Sequence, residues 1–279
     1  MNIKKDSRSI SSYELKSRPH ANSVLFNEVL SYIASPDTGL PLKISESKLM
    51  LSDGLNQYDI RDQLPILIPT KLHPYFVDRL QVPFSLYSDP FLQYFLFASV
   101  KQSGEINSNP NETSSQLHFF RMSNFLSEAN GLTLDIGCDD PVLGASLLPV
   151  TVDYIGLDCF CIRPSPFRII GVGEYLPFLA ETFDNVVFNT SLDHILDWRR
   201  ALAEARKVLK KGGVLYICTY IWVDKADLIT DIVHFHHFRY YEIVGALESL
   251  GFCIFGSDIY ESPKGDLHRH GLYIKAYKS

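Results

Sequence analysis

The sequence predicts an α/β protein: one large, mostly parallel sheet with helices on both faces, preceded by a small β-rich module. Three observations predict it. From Leu117 onward, short apolar runs alternate with longer stretches of helical period, the pattern of strands joined by crossover helices. One of those stretches repeats apolar residues at three- and four-residue spacing between a capping aspartate and a double glycine. A chain of 279 residues with 46% apolar content also has enough material for a large core.

In chain order, residues 1–22 are polar and read as a flexible N-terminus. Residues 23–72 read as the small module. Within it, Leu49-Met50-Leu51, the turn Ser52-Asp53-Gly54 and the stretch Tyr58 to Ile68 look like short strands joined by turns. In residues 73–116, the aromatic run Pro83–Val100 reads as a helical connector or lid, and Gln102–Gln116 as a mobile loop. Residues 117–279 supply the sheet, with strand-like runs at Leu132–Ile136, Tyr154–Leu157, Arg168–Ile170, Asn185–Phe188, Val214–Cys218, Cys253–Ser257 and Leu272–Ala276. Between the fourth and fifth runs, Trp198, Ala201, Leu202, Ala205, Val208 and Leu209 mark one helix face. Asp197 is placed to cap that helix, and Lys210-Lys211-Gly212-Gly213 to end it.

A net charge of -6 offers no diffuse basic surface for phosphates, so no nucleic acid is expected as a partner. No apolar run reaches the ~18 residues of a bilayer span. The N-terminus lacks the apolar core of a signal peptide, so a cytoplasmic location is expected. Cys138, Cys159, Cys161, Cys218 and Cys253 lie in or beside apolar runs and read as buried reduced thiols. The Cys159/Cys161 pair has no second pair near it, so a zinc site is not expected there.

A strand ending in Asp135, then Ile136-Gly137-Cys138 and a helix start, then a strand ending in Asp158, is a nucleoside-binding layout. A carboxylate ~20 residues beyond such a turn can accept hydrogen bonds from ribose hydroxyls. The layout alone does not separate a dinucleotide from an adenosylmethionine site.

Several ordered segments resemble the class I S-adenosylmethionine-dependent methyltransferases, especially the type 11 group. Leu132 to Cys138 is similar to the family's first motif, Tyr154 to Asp158 to its second, and Gly173 to Phe178 to its adenine-side loop. Thr182 to Phe188 resembles the fourth strand, Leu192 to Asp197 the turn after it, and Ala201 to Ile217 the helix, double-glycine turn and fifth strand. His236-His237-Phe238-Arg239 resembles a late segment that helps build the substrate side.

The resemblance implies a Rossmann-like seven-stranded sheet, S-adenosyl-L-methionine as cofactor and methyl transfer to a small-molecule acceptor. By position it puts Asp135, Gly137, Cys138 and Asp139 in the cofactor loop and Asp158 on the ribose. It puts Cys159, Gly173 and Glu174 beside the adenine, Asn189 on the cofactor floor, and His236 and His237 on the substrate side. His194, after the fourth strand, is the candidate base or acceptor-positioning group, although a histidine there also packs or caps turns.

The sequence departs from the family in three places. Asp139 and Pro141 stand at two glycine positions of the first loop, and Val172 stands where an adenine-accepting aspartate is common. Pro141 suits the first turn of a helix. Asp139 adds a charge at the tightest point, where it either pairs with the cofactor's ammonium or sulfonium or repels its carboxylate. These departures leave a second reading, a catalytically inactive methyltransferase-like binding or scaffolding protein. They also weaken a nicotinamide-dependent dehydrogenase, whose pyrophosphate needs the same glycines.

His234, His236 and His237 form an H-x-H-H cluster with no carboxylate in register, so no metal site is expected there either. His268 and His270 read as exposed at a hairpin tip. Phe84 to Phe97, with Phe119 and Phe120, read either as a roof over the acceptor pocket or as packing against the module. In the module, Ile33 to Leu42 and Tyr58 to Ile68 are similar to short zinc-ribbon-like domains that precede or partner some methyltransferases. Ser35 and Thr38 stand at cysteine positions there, so its apolar strands are expected to hold it together without metal. The expected partner is a small-molecule acceptor, and a homodimer stays open.

Overall fold

A computed structural model describes residues 3–4, 22–23, 26–45, 50–61, 64–72, 113–159, 168–223, 234–261 and 268–279. The elements in chain order are β1 (Ile3–Lys4), β2 (Asn22–Ser23), α1 (Phe26–Val29), β3 (Lys43–Ile44), β4 (Met50–Ser52), β5 (Gln57–Arg61) and β6 (Leu64–Pro65). Then follow α2 (Thr113–Phe125), β7 (Leu132–Ile136), α3 (Pro141–Ser146), β8 (Asp153–Asp158), β9 (Arg168–Ile170) and β10 (Phe183–Asn189). The last are α4 (Trp198–Val208), β11 (Leu209–Trp222), α5 (Tyr240–Ser249), β12 (Phe252–Glu261) and β13 (Arg269–Lys278).

The main sheet runs β1-β12-β13-β11-β10-β7-β8-β2, with β9 also paired to β8. β13 is antiparallel to both its neighbours, and the other pairs in this sheet are parallel. All seven strand-like runs of the sequence fall inside its strands, β7 and β9 to the residue. Both are short runs buried along their whole length, as expected of parallel strands covered on two faces.

The helix α4 forms where its spacing placed it and buries Trp198, Ala201, Leu202, Ala205 and Val208. Asp197 Oδ1 accepts from the Arg200 N–H at 3.1 Å, satisfying one of the donors left open at a helix start. Asp197→Ala is expected to cost about 1 kcal/mol, read as a lower thermal midpoint.

Four expectations need correction. The N-terminal stretch read as flexible contributes two edge strands: Ile3–Lys4 pairs with Ile259–Tyr260, and Asn22–Ser23 with Asp153–Tyr154. The unpaired backbone groups of an edge strand recruit such segments whatever their side chains. The helix α2 starts at Thr113, inside the stretch read as a loop. Its Met122, with Leu126 just beyond the helix end, packs with Tyr154, Tyr216 and Tyr273, Phe119 lies against the same cluster, and Phe120 is half-buried. The aromatic run Pro83–Val100 lies outside the described residues, as does Cys161. Cys138, Cys159 and Cys218 are buried, but Cys253 is exposed because the pleat of β12 turns it opposite to buried Phe252. His268 is exposed, whereas His270 is buried on β13 between Ile221 of β11 and Glu261 of β12.

The module forms its own antiparallel sheet, β3-β4-β5-β6. It does not have a separate core: Leu51, Tyr58 and Leu67 share one apolar cluster with Leu134, Phe178 and Phe183. Backbone bonds tie it down, from Ala34 N–H to Pro177 O at 2.9 Å and from Leu67 N–H to Ile170 O at 2.7 Å. Apolar strands are joined by a polar cluster at the cysteine-like positions. Ser35 and Tyr58 share a hydrogen bond of 2.8 Å, and Tyr58 donates to Asp37 at 2.6 Å. Thr38 donates to Asp53 Oδ2 at 2.6 Å, and Asn56 donates to the same oxygen at 3.2 Å.

Candidate functional site

β7, β8, β10 and β11 run parallel, so their carboxyl ends share one edge, where ligands of such sheets bind. At that edge the loop after β7 turns through two left-handed residues, Gly137 at φ 76° and Asp139 at φ 49°. Asp139 therefore keeps a backbone path usually left to glycine, a conformation aspartate tolerates better than most residues. Asp140 then caps α3 by accepting from the Val142 N–H at 3.0 Å, and Pro141 fills its first turn. A Cβ on Gly137 would lie 2.5 Å from Ser191 Cβ, so this glycine also lets the loop after β10 close against the loop after β7. Ser191 Oγ completes that contact by donating to Ile136 O at 2.5 Å.

Asp158, half-buried at the end of β8, accepts from the Asp139 N–H at 3.0 Å, which closes the loop onto the strand end. Asp135 is 4% exposed. Its Oδ2 accepts from the Tyr154 hydroxyl at 2.9 Å, while Oδ1 accepts no hydrogen bond among the described residues. Burial pushes its carboxyl up to about 7, against the pull of the Tyr154 bond and with the push of the Asp158 charge. Native Asp135 thus holds its proton where the unfolded chain has released it. Its contribution to stability is full below about pH 4 and lost as pH rises through about 7, a span on the order of 4 kcal/mol. In melts between pH 5 and 8, the parent is expected to lose stability relative to Asp135→Asn.

Burial, with the charges of Asp158 and Asp135, keeps Cys138 a thiol well above the usual range. Its Sγ lies 3.9 Å from Nη2 of the buried Arg168. These groups fit a ligand carrying a ribose and a cationic amino acid portion: a buried carboxyl oxygen with no donor, a second carboxylate at the next strand end, and a loop of left-handed backbone between them.

The adenine-side expectations fare differently. Gly173 packs closely, since an added Cβ would meet Ile195 and Ile136 at 3.0 and 3.2 Å. Cys159 packs with Ile68, Leu72, Ile170 and Val172 in an apolar patch. Glu174 turns away: its buried carboxylate accepts from the Asp197 N–H at 3.3 Å, and its carbonyl accepts from Arg200 Nε at 2.7 Å. Burial raises its pKa, and its side chain ties to the start of α4.

The histidines also divide. His236 Nε2 lies 3.0 and 2.9 Å from the carbonyls of Ile195 and Leu196, so this ring holds the loop after β10 in place. Burial lowers its pKa. His237 packs on Trp222 at 4.8 Å. His194, with its side chain 24% exposed, faces His234 at 4.9 Å between ring centres, and its Nε2 lies 4.0 Å from Asp193 Oδ1. The structure thus brings His194 and His234 together and assigns His236 a structural contact.

Residues 163–217 match the family described as a methyltransferase domain. Demethylmenaquinone methyltransferase from Thermobifida fusca is 42% identical over 52 residues, 19% of this chain and 22% of that protein. The chain therefore spans about a fifth of the curated relative it matches. Among solved structures, Burkholderia thailandensis 1,6-didemethyltoxoflavin-N1-methyltransferase, with bound 1,6-didemethyltoxoflavin and S-adenosylhomocysteine, aligns at a TM-score of 0.54 and 16% identity. That alignment covers 81% of this chain and 97% of the other. The fold is that of the class I methyltransferases. The [4+2]-cyclase SpnF also aligns, at a TM-score of 0.51 and 14% identity over 71% of this chain and 97% of that one.

Within this methyltransferase fold, Asn189 ends β10 and binds His118 Nε2 through Oδ1 at 3.1 Å, and His118 Nδ1 lies 3.5 Å from the Tyr273 hydroxyl. Burial lowers the pKa of His118 and keeps its ring neutral. The ring lines an open cleft with Arg121, Cys218, Thr219, Tyr220 and Tyr273. Thr219 Oγ1 is buried and makes no hydrogen bond among the described residues. Sequence reasoning missed His118 and Arg121. The available signal was their spacing, one helical turn apart on one face, hidden because the start of α2 read as loop.

Proposed function

We propose that this chain is an S-adenosyl-L-methionine-dependent methyltransferase acting on a small-molecule acceptor. The observation that carries this reading is the loop from Gly137 to Asp139, which keeps a glycine-like path and closes onto the Asp158 carboxylate. The 52-residue match to a demethylmenaquinone methyltransferase supports it. S-adenosylmethionine, when bound, supplies an electrophilic methyl group on a sulfonium.

The chain's own groups divide the remaining work. Asp158 accepts from ribose hydroxyls, and the exposed Asp139 presents negative charge to the amino acid portion. The open cleft beside Asn189, at the rim where acceptor and cofactor would meet, is the place for the acceptor. His118, neutral because it is buried, can take a proton from an acceptor seated there, and His194 borders the same edge. Much of the acceleration can come from holding the acceptor in line with the methyl group.

Calorimetry with S-adenosylhomocysteine tests the reading. One site with a micromolar dissociation constant is expected. Absence of binding at millimolar ligand would overturn the enzyme reading and favour a scaffolding protein.

A further inference from the structure

We propose that Asp193, His194 and His234 form a binding site for one divalent transition-metal cation of the zinc class, at the acceptor edge of the sheet. One ligand atom from each of the three lies within 4.8 Å of the others, and Asp193 Oδ1 is 4.0 Å from His194 Nε2. At a tetrahedral centre, metal bonds of about 2.0–2.2 Å put two ligands of one ion about 3.4 Å apart. Side-chain rotations that close these separations by roughly 0.5–1.5 Å bring all three onto a common ion. The sequence showed no carboxylate in register with the H-x-H-H cluster, and the fold supplies one from another loop.

The arrangement is held from outside the three ligands. The N–H groups of Phe235 and His236 donate to the Asp193 carbonyl at 2.9 and 3.3 Å, stitching the segment that carries His234 to the loop that carries Asp193 and His194. His236 reinforces the stitch through the carbonyls of Ile195 and Leu196. Such support fixes ligands before an ion arrives and lowers the cost of binding.

The donor set selects the ion. Two imidazoles and one carboxylate, with no thiolate, suit Zn²⁺, Fe²⁺, Ni²⁺ or Mn²⁺ better than Ca²⁺ or Mg²⁺. Three protein ligands leave a fourth position open, as in zinc sites that bind substrate and unlike closed structural sites. His194 keeps a quarter of its side chain exposed, so a further ligand can reach the site. The same loop begins at Ser191, which rests on Gly137 of the cofactor loop. On the methyltransferase reading, the ion takes an oxygen of the acceptor as its fourth ligand and fixes that oxygen beside the methyl donor.

The test uses the full chain, stripped with a chelator and titrated with Zn²⁺ by calorimetry at pH 7.5. One ion per chain at micromolar or tighter affinity is expected. His194→Gln and His234→Gln should each weaken uptake at least tenfold, with His268→Gln unchanged. In case the variants fold poorly, nitrogen NMR of the parent's imidazoles follows Zn²⁺ addition, and shifts at two rings are expected. No stoichiometric uptake, uptake unaffected by both variants, or shifts at rings other than these two would overturn the site. Parallel titration of the stripped protein with S-adenosylhomocysteine separates the readings. Nucleoside binding without metal uptake removes only the cation site, and metal uptake without nucleoside binding removes only the methyltransferase reading.

Discussion

Replacing Asp158 by alanine is expected to weaken S-adenosylhomocysteine binding at least 100-fold while changing the thermal midpoint little. Hydrogen bonds to a charged group contribute about 1.5–3 kcal/mol each, and a ribose presents two hydroxyls to one carboxylate. A loss of about 2.7 kcal/mol corresponds to the 100-fold effect. The same carboxylate also accepts from the Asp139 N–H, so its removal frees the loop whose shape the ligand needs. Asp158 is only half-buried at a strand end, so alanine there leaves no buried cavity and the core is undisturbed. Calorimetry and a thermal melt on the same preparation separate the two effects. An Asp158→Ala protein that bound as tightly as the parent would remove the ligand from this strand end.

What could be read in advance follows from how local each signal is. β7, β9 and α4 were legible because burial imposes an apolar run or a helical stripe on the residues themselves, and turn residues bound them. β1 and β2 were not, because two residues on an edge are too few to carry a pattern and owe their conformation to the neighbouring backbone. The beginning of α2, Thr113-Ser114-Ser115-Gln116, uses residues that serve caps and loops equally well.

The candidate site divides in the same way. Asp135 and Asp158 were legible because strand, turn and strand end are contiguous. Glu174 lies in a loop that resembles the family's adenine side, and the tie of its carboxylate to α4 is not written in that loop. His118 meeting Asn189, and Asp193 meeting His234, join residues far apart in the chain, and no spacing encodes those meetings.

Gly144 is a further case of information held only in three dimensions, and Gly144→Ala is expected to destabilise the protein by about 2–5 kcal/mol. Its φ is not in the left-handed region, so the backbone makes no demand for glycine. Space does: an added Cβ would lie 2.4 Å from the Tyr154 hydroxyl and 2.6 Å from Asp135 Oδ2. Both groups are buried on the central strands β7 and β8, which cannot retreat without repacking the core. The hydroxyl must move instead, breaking its 2.9 Å bond to Asp135 and leaving that buried carboxyl without its donor. A lost buried bond costs about 1–3 kcal/mol and overpacking a similar amount. At roughly 2–4 °C per kcal/mol for a chain of this size class, the midpoint should fall by about 5–15 °C. Gly245 is the control. It lies exposed in the middle of α5 with nothing within 4 Å of an added Cβ, so Gly245→Ala should raise stability by about 0.5–1 kcal/mol. If the two substitutions shifted the midpoint alike, the close contact at Gly144 would be refuted. If only Gly144→Ala is costly, its effect should also grow above pH 7, because a carboxyl stripped of its donor resists ionisation more strongly than before.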